Sequence, residues 1–336
     1  MSNHPVRRIL LLLALAAVSA GAFAQKTVKS KAAAMPAAPW PTKPLRIMVG
    51  FPGGSTPDLV ARTIAEPLSK ALGQPVIVEN RPGAAGNIAA DIVAKSTDNH
   101  TIGVMINGNM TIAKLLNPAT PFDPLKDLAP ISLIGTAPLL LTAPANAPGN
   151  NAKEFFAAAR SAGNKWSYGS PGVGTVGHLG MELLKTQASI DPVHVPYPGN
   201  PQVINAMIGG QLQLSLQPPG LAAAQIRAGK LKAVGVTSSG RSPLVPEFPS
   251  LAEGGVKGFQ LEIWTAAAGP KSLPQPIVTR LSSLIGEIAR TPEVRQKLFQ
   301  QGWQVAGTSS EGLANRIKAD TALLGGVIAM RGIKAE

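Results

Sequence analysis

The chain has 336 residues, 45% of them hydrophobic, and a formal net charge of +13. That is enough apolar material for a sizeable core and two globular domains, so a folded protein is expected. Cysteine is absent, which excludes disulfides, thiol nucleophiles, thiolate metal sites and a lipid-bearing cysteine at a mature N-terminus.

In chain order, Arg7 and Arg8 precede the apolar run Ile9 to Val18, which leads into Ala22-Phe23-Ala24. This is the pattern of a secretory signal peptide (residues 1–24) cleaved after Ala24. The run falls short of the roughly 20 residues a membrane-spanning helix needs. A soluble protein exported to a bacterial periplasm is therefore expected. Residues 25–41 read as a flexible leader carrying Lys26, Lys29 and Lys31. Without Arg7 and Arg8 the mature chain would keep a charge of about +11, which favours an anionic partner. Nucleic acid is disfavoured, because the charges are scattered and aromatic residues make up only 4%.

From Pro44 the pattern becomes strand, glycine loop and helix: LRIMVGF, PGGSTPD, then LVARTIAEPLSKALG with Val60, Ile64, Leu68 and Leu72 at helical spacing. Thr56 before Pro57 suits a helix cap followed by proline at the first turn. Pro67 is expected to kink or end that helix. QPVIVEN, RPGAAGN and IAADIVAKS form a second unit, and TIGVMING a third strand. Such alternation predicts a parallel, doubly wound sheet. Proline and glycine cluster from Asn117 to Pro148, as where a chain leaves one domain for another. The pattern then restarts with AKEFFAAARSAG, KWSYGS, PGVGTVGH, LGMELLKTQ, PVHVPY, VINAMIGG, QLQLSLQ and LKAVGVTS. The strand FQLEIWTAAAGP leads into helical segments around Pro276 to Leu298 and Glu311 to Met330.

Three glycine loops carry the chemistry. In YGSPGVGTVGH, Gly172, Gly174 and Gly177 have G-x-G-x-x-G spacing, and Asp191 follows nineteen residues after Gly172. This permits a dinucleotide turn, a structural turn, or an anion-binding loop at a helix N-terminus, where unpaired N–H groups and about half a positive charge face outward. Export argues against a nicotinamide cofactor. PGGSTPD repeats the device with Gly53, Gly54, Ser55 and Thr56, and PGAAGN is a third such loop. Enzyme signatures are thin, with no G-x-S-x-G, Walker or HExxH motif. An exported serine hydrolase would use Ser170 or Ser55 with His178. His178 also reads as a helix-start residue bonded to its own loop. His178 and His194 are sixteen apart without clustered acids, so no metal is expected. Phe51, Trp166 and Trp264 are candidates for an apolar compartment, with packing the more ordinary role of each tryptophan.

The segments PTKPLRIMVGFPGGSTPDLVAR, VIVENRPGAAGNIAADIVAK, WSYGSPGVGTVGHLGMELLK, VHVPYPGNPQ and IRAGKLKAVGVTSSGRSP stand in an order that resembles the Bug-type, tripartite tricarboxylate transporter substrate-binding proteins. The resemblance runs from about Trp40 to the C-terminus. It implies an α/β, two-lobed periplasmic binding fold of type II, each lobe a mostly parallel sheet flanked by helices. Residues 42–139 plus 264–336 would form lobe 1 and residues 140–263 lobe 2, with the ligand in the cleft. It also implies a carboxylate held through backbone amides, hydroxyls and water rather than cationic side chains. By matched position the binding residues are Phe51, Gly53, Ser55, Thr56 and Asp58 in one lobe, and Ser170, Gly174, Thr175 and His178 in the other. Asn87, Asn107, Tyr197 and Asn200 are further candidates. The implied protein is a monomeric, non-enzymatic receptor without cofactor, delivering a small organic acid to membrane components of such a transporter or to a sensor kinase.

Two departures bear on the ligand. Ser55 stands where the family usually has a glycine. QLQLSLQPPG lacks the acid that the family usually carries there and has Gln217 in that region, which weakens any inference of a ligand ammonium group.

Overall fold

The computed structural model describes residues 40–334. The expected signal peptide and nearly all of the expected leader lie outside them. The described chain forms two α/β lobes within one compact unit.

The first lobe begins with β1 (Leu45–Val49), α1 (Thr56–Leu72), β2 (Val76–Asn80), α2 (Asn87–Ala94) and β3 (Thr101–Ile106), followed by the short helices α3 (Asn107–Thr111), α4 (Ala113–Leu116) and α5 (Pro124–Asp127). Val60, Ile64, Leu68 and Leu72 of α1 are buried with Leu45, Ile47 and Val49 of β1 in one core. α1 runs unbroken through Pro67. Ile64, Leu68 and Leu72, on either side of that proline, are buried against the sheet, and this packing outweighs the roughly 3 kcal/mol that an interior proline costs.

β4 (Leu128–Pro138) then leads directly into β5 (Leu140–Pro144), the first strand of the second lobe. The second lobe continues with α6 (Ala152–Ala162), β6 (Ser167–Ser170), α7 (Val176–Ala188), β7 (Val193–Pro196), α8 (Asn200–Ile208), β8 (Ser215–Gln217), α9 (Pro219–Arg227) and β9 (Leu231–Val236). β10 (Glu262–Pro270) returns the chain to the first lobe, which α10 (Gln275–Arg290), α11 (Pro292–Gln300), β11 (Gln304–Val305) and α12 (Ser310–Arg331) complete.

The first sheet has the order β11-β4-β10-β3-β1-β2. The second is assembled from β8-β5-β9 and β6-β7, joined where Tyr168 bridges Leu214 and the Gly169 amide donates to the Leu214 carbonyl at 3.2 Å. The expected two-lobed α/β architecture is present, but its sheets are mixed rather than mostly parallel. β1 is parallel to β2 and β3, whereas β10 is antiparallel to both β3 and β4. In the second lobe, β6 is parallel to β7 while β5 is antiparallel to β8 and β9. The reason is topological: a strand that crosses between lobes without an intervening helix enters the neighbouring sheet running the opposite way. β4 itself lies inside the proline-rich stretch to which the sequence assigns no strand.

Thr237 ties the crossings together and is completely buried. Its Oγ1 accepts from the Leu139 amide at 2.8 Å and donates to the Leu261 carbonyl at 2.6 Å, while its backbone bonds the same two residues. Thr237→Val leaves a buried amide and a buried carbonyl without partners. Unfolding free energy is expected to fall by about 1–3 kcal/mol, read as a lower thermal midpoint. Thr237→Ser, which keeps the hydroxyl, should lose far less; equal losses would show that the hydroxyl is not the tie.

Candidate functional site

The loop between β1 and α1 is braced from behind. Gly54 has φ +77°, and its amide donates to Asp58 Oδ2 at 2.8 Å. Asp58 also accepts from Arg62 Nε at 3.0 Å and from Asn80 Nδ2 at 2.9 Å, and Asn80 donates in turn to the Phe51 carbonyl at 2.9 Å. Burial alone would raise the Asp58 carboxyl, but the hydrogen bonds from Arg62, the Gly54 amide and Asn80 hold it below the usual carboxylate range. Asp58 is thus an anion used within the loop itself. The N-cap of α1 is Ser55 rather than the expected Thr56, which is already the first helical residue; Ser55 makes no capping bond, and its hydroxyl is buried without a hydrogen-bond partner.

The opposing loop joins β6 to α7. Gly172 and Gly174 have φ +126° and +82°, conformations that strain any residue with a Cβ. A Cβ on Gly108 of α3 would lie 2.7 Å from the Gly174 carbonyl, so the two lobes touch here backbone to backbone. Thr175 caps α7, accepting from the His178 amide and donating to the Gly172 carbonyl at 2.8 Å. His178 Nδ1 accepts from the Gly174 amide at 3.2 Å.

Behind this loop the rings of Tyr168, His194 and His178 form a stack, with centroids 4.8 Å and 4.1 Å apart along it. Glu182 accepts from the Tyr168 hydroxyl at 2.7 Å and pairs with Lys185 at 3.3 Å and Arg331 at 3.1 Å. Burial is the main force that lowers His178 to about 4. Burial and the neighbouring His178 lower His194 to about 3. Both imidazoles are therefore neutral near pH 7. Ser170 meets His194 Nε2 at 2.7 Å rather than His178, and it is fully buried, with its oxygen also bonded to Gly172. Among the described residues no carboxylate hydrogen-bonds His194. This geometry gives the hydrolase alternative no support. Asp191, the acid a dinucleotide turn would need, is exposed and pairs with Lys185 at 3.2 Å.

Between the lobes lies a small cavity. Thr56 and Pro57 of α1 line one side, and Thr175, Val176 and Gly177 at the start of α7 line the other. Within the described residues the amides of Thr56, Val176 and Gly177 have no protein hydrogen-bond partner; they are first-turn donors left open by helix geometry. Asn200, at the start of α8, also lines the cavity. It bridges the lobes, accepting from Thr56 Oγ1 at 3.5 Å and donating to Gln217 Oε1 at 3.1 Å. The remaining wall is largely apolar, with Phe51, Leu139, Leu216, Ile263 and Trp303.

Of the expected residues, the structure brings Phe51, Thr56, Asn107, Thr175 and Asn200 to this cavity. The Asn107 side chain bonds the Glu262 carbonyl and the Trp264 amide, fastening β3 to β10. Ser55 and Gly174 directly precede the lining residues Thr56 and Thr175 but are buried and do not line the cavity themselves, and Gly53 is exposed. Asp58, Ser170 and His178 lie behind the two loops. Asn87 bonds Asn109 at 2.8 Å, and Tyr197 packs on the α8 core, neither lining the cavity. Trp166 packs on Phe155, and Trp264 is buried with its Nε1 on Asp320 at 2.5 Å. The tryptophan at the cavity is Trp303, which sequence reasoning missed because it lies in a loop far along the chain with no motif around it. Gln217, which stands where the family usually carries an acid, holds Asn200 and Ser215.

The neutral histidines give a pH signature. The unfolded chain binds protons at both near pH 6.5, the folded protein only near pH 4 and pH 3. As pH falls through 6.5 the unfolded state takes up more protons, so stability declines from there toward pH 4. The thermal midpoint is expected to drop across that window, and to drop less in His194→Gln; an identical pH profile in that variant would contradict the buried-neutral assignment.

The family described as "Tripartite tricarboxylate transporter family receptor" matches residues 60–333. BugT of Bordetella pertussis is 31% identical over 275 residues, covering 81% of this chain and 84% of that protein. The structure of MatC from Rhodopseudomonas palustris with bound malate is similar with a TM-score of 0.81 at 31% identity, covering 86% of this chain and 99% of that one. An R. palustris protein with adipate has a TM-score of 0.84 at 29% identity, with coverage of 88% and 99%. The chain belongs to the tripartite tricarboxylate transporter family of receptors.

Proposed function

We propose that this protein is a non-enzymatic periplasmic receptor that captures a small organic acid between its lobes. It would deliver the acid to the membrane components of a tripartite tricarboxylate-type transporter or to a sensor kinase. The observation that carries this reading is the cavity onto which the N-termini of α1 and α7 both open, with the unpartnered Ser55 hydroxyl beside them. Convergent helix N-termini favour an anion. Each charge-assisted hydrogen bond formed on closure would contribute about 1.5–3 kcal/mol. The malate and adipate held by the similar R. palustris proteins support a carboxylate as the anion. The export pattern at the N-terminus accords with a periplasmic receptor.

Thermal stabilisation by a panel of carboxylic acids, with the matched amides as controls, tests the reading. Several acids and none of the amides should raise the midpoint, and Ser55→Ala together with Thr175→Val should blunt the response. No response to any acid, or substrate turnover in its place, would sink it. Lobe closure has its own test in Gly108→Ala, whose Cβ would meet the Gly174 carbonyl at 2.7 Å. Affinity should fall by an order of magnitude or more, while the helical circular dichroism stays unchanged, because alanine favours a helix.

A further inference from the structure

We infer that the ligand is a monocarboxylate with a compact apolar body, lacking both a second ionised acid group and an ammonium group. This inference deepens the receptor reading and rests on it. The first observation is the charge inventory of the cavity. Among the described residues, none that lines it is Asp, Glu, Lys, Arg or His. The closest acid in the first loop, Asp58, faces Arg62, Asn80 and the Gly54 amide instead. A ligand ammonium would therefore meet no carboxylate there.

The second observation concerns how many anions the backbone can serve. α9 also begins at the cavity, but with Pro218 and Pro219, neither of which has an N–H. Its next residue, Gly220, is jammed against Gln301 of the other lobe, where a Cβ would overlap the Gln301 carbonyl. α8 has Pro201 in its first turn and uses the Asn200 side chain on Thr56 and Gln217. The start of α3 also lines the cavity, but Asn107 spends its side chain on the Glu262 carbonyl and the Trp264 amide. The open first-turn amides of the longer helices α1 and α7 together make one anion-binding pole.

The third observation is the apolar part of the lining. Ile106, Leu139, Leu216, Ile263 and Trp303 face the space that the rest of the ligand would fill. An ionised group buried there would lose its water with no partner in exchange, a cost far above that of a buried hydrocarbon. The apolar body would instead gain from burial at about 25 cal/mol per Å2 of apolar surface.

Calorimetric titration with matched pairs tests this directly: benzoate against terephthalate, hexanoate against adipate, and hexanoate against 6-aminohexanoate. The monoacid of each pair is expected to bind about tenfold tighter or more, from the uncompensated second charge. Equal or tighter binding of terephthalate, adipate or 6-aminohexanoate would overturn the inference while leaving the receptor reading intact. Binding of none of these or any other acid would remove both. A second variant keeps the test independent of any one pair. Ile263 is half-buried at the cavity wall, and Ile263→Lys should narrow or reverse the preference by pairing the second carboxylate. An unchanged preference in a folded Ile263→Lys protein would show that the wall does not read the far end of the ligand.

Discussion

Two helix N-termini from different lobes open onto one cavity, and their partial positive charges repel unless an anion lies between them. Much of the site is arranged around that convergence. Asp58, the acid in the first turn of α1, is held back by Arg62, Asn80 and the Gly54 amide. His178, in the first turn of α7, is kept neutral by burial. Neither helix start presents a full charge to the cavity, so the backbone supplies the field. Glycine at positions 108 and 174 lets the lobes approach closely enough for both helix starts to reach the same space.

What sets α7 in place is largely remote from the cavity. The Tyr168, His194 and His178 rings stack beneath its first turns, and Glu182 gathers the Tyr168 hydroxyl, Lys185 and Arg331 on its flank. Leu179 of α7 packs with Ile112, Leu324 and Val327, so the helix rests on the first lobe and on α12 as well as on its own sheet. The Ser170–His194 pair, which resembles part of a hydrolase site in residue type alone, belongs to this support. A fully buried serine sharing its oxygen with Gly172 is a structural tie.

Local patterning made the glycine loops and the main helices legible. PGGSTPD and SPGVGTVGH read as polar loops before helices because glycine, hydroxyl caps and proline each have a local conformational meaning. Residues whose roles depend on distant partners were harder to read. Asp58 looks like a binding residue beside a glycine pair until Asn80 and Arg62 are seen to claim it. Pro67 looks like a helix end until the buried faces of Ile64, Leu68 and Leu72 are seen to hold the turn. β4 sits among prolines and glycines and becomes a strand through pairing with β10 and β11, residues far along the chain.

By itself the sequence determined the α/β grammar, the export pattern, the absence of thiol chemistry and the two glycine loops that lead into α1 and α7. These follow from short-range effects: backbone conformational preference, side-chain periodicity and the presence or absence of a chemical group. The tertiary structure decided the mixed strand directions and the inward placement of Trp303. It also turned Asp58, His178 and Ser170 into supports behind the loops and left the cavity lining without a charged side chain. Those properties arise from which distant groups satisfy one another on burial, and burial is set by the meeting of two lobes rather than by any neighbour in sequence.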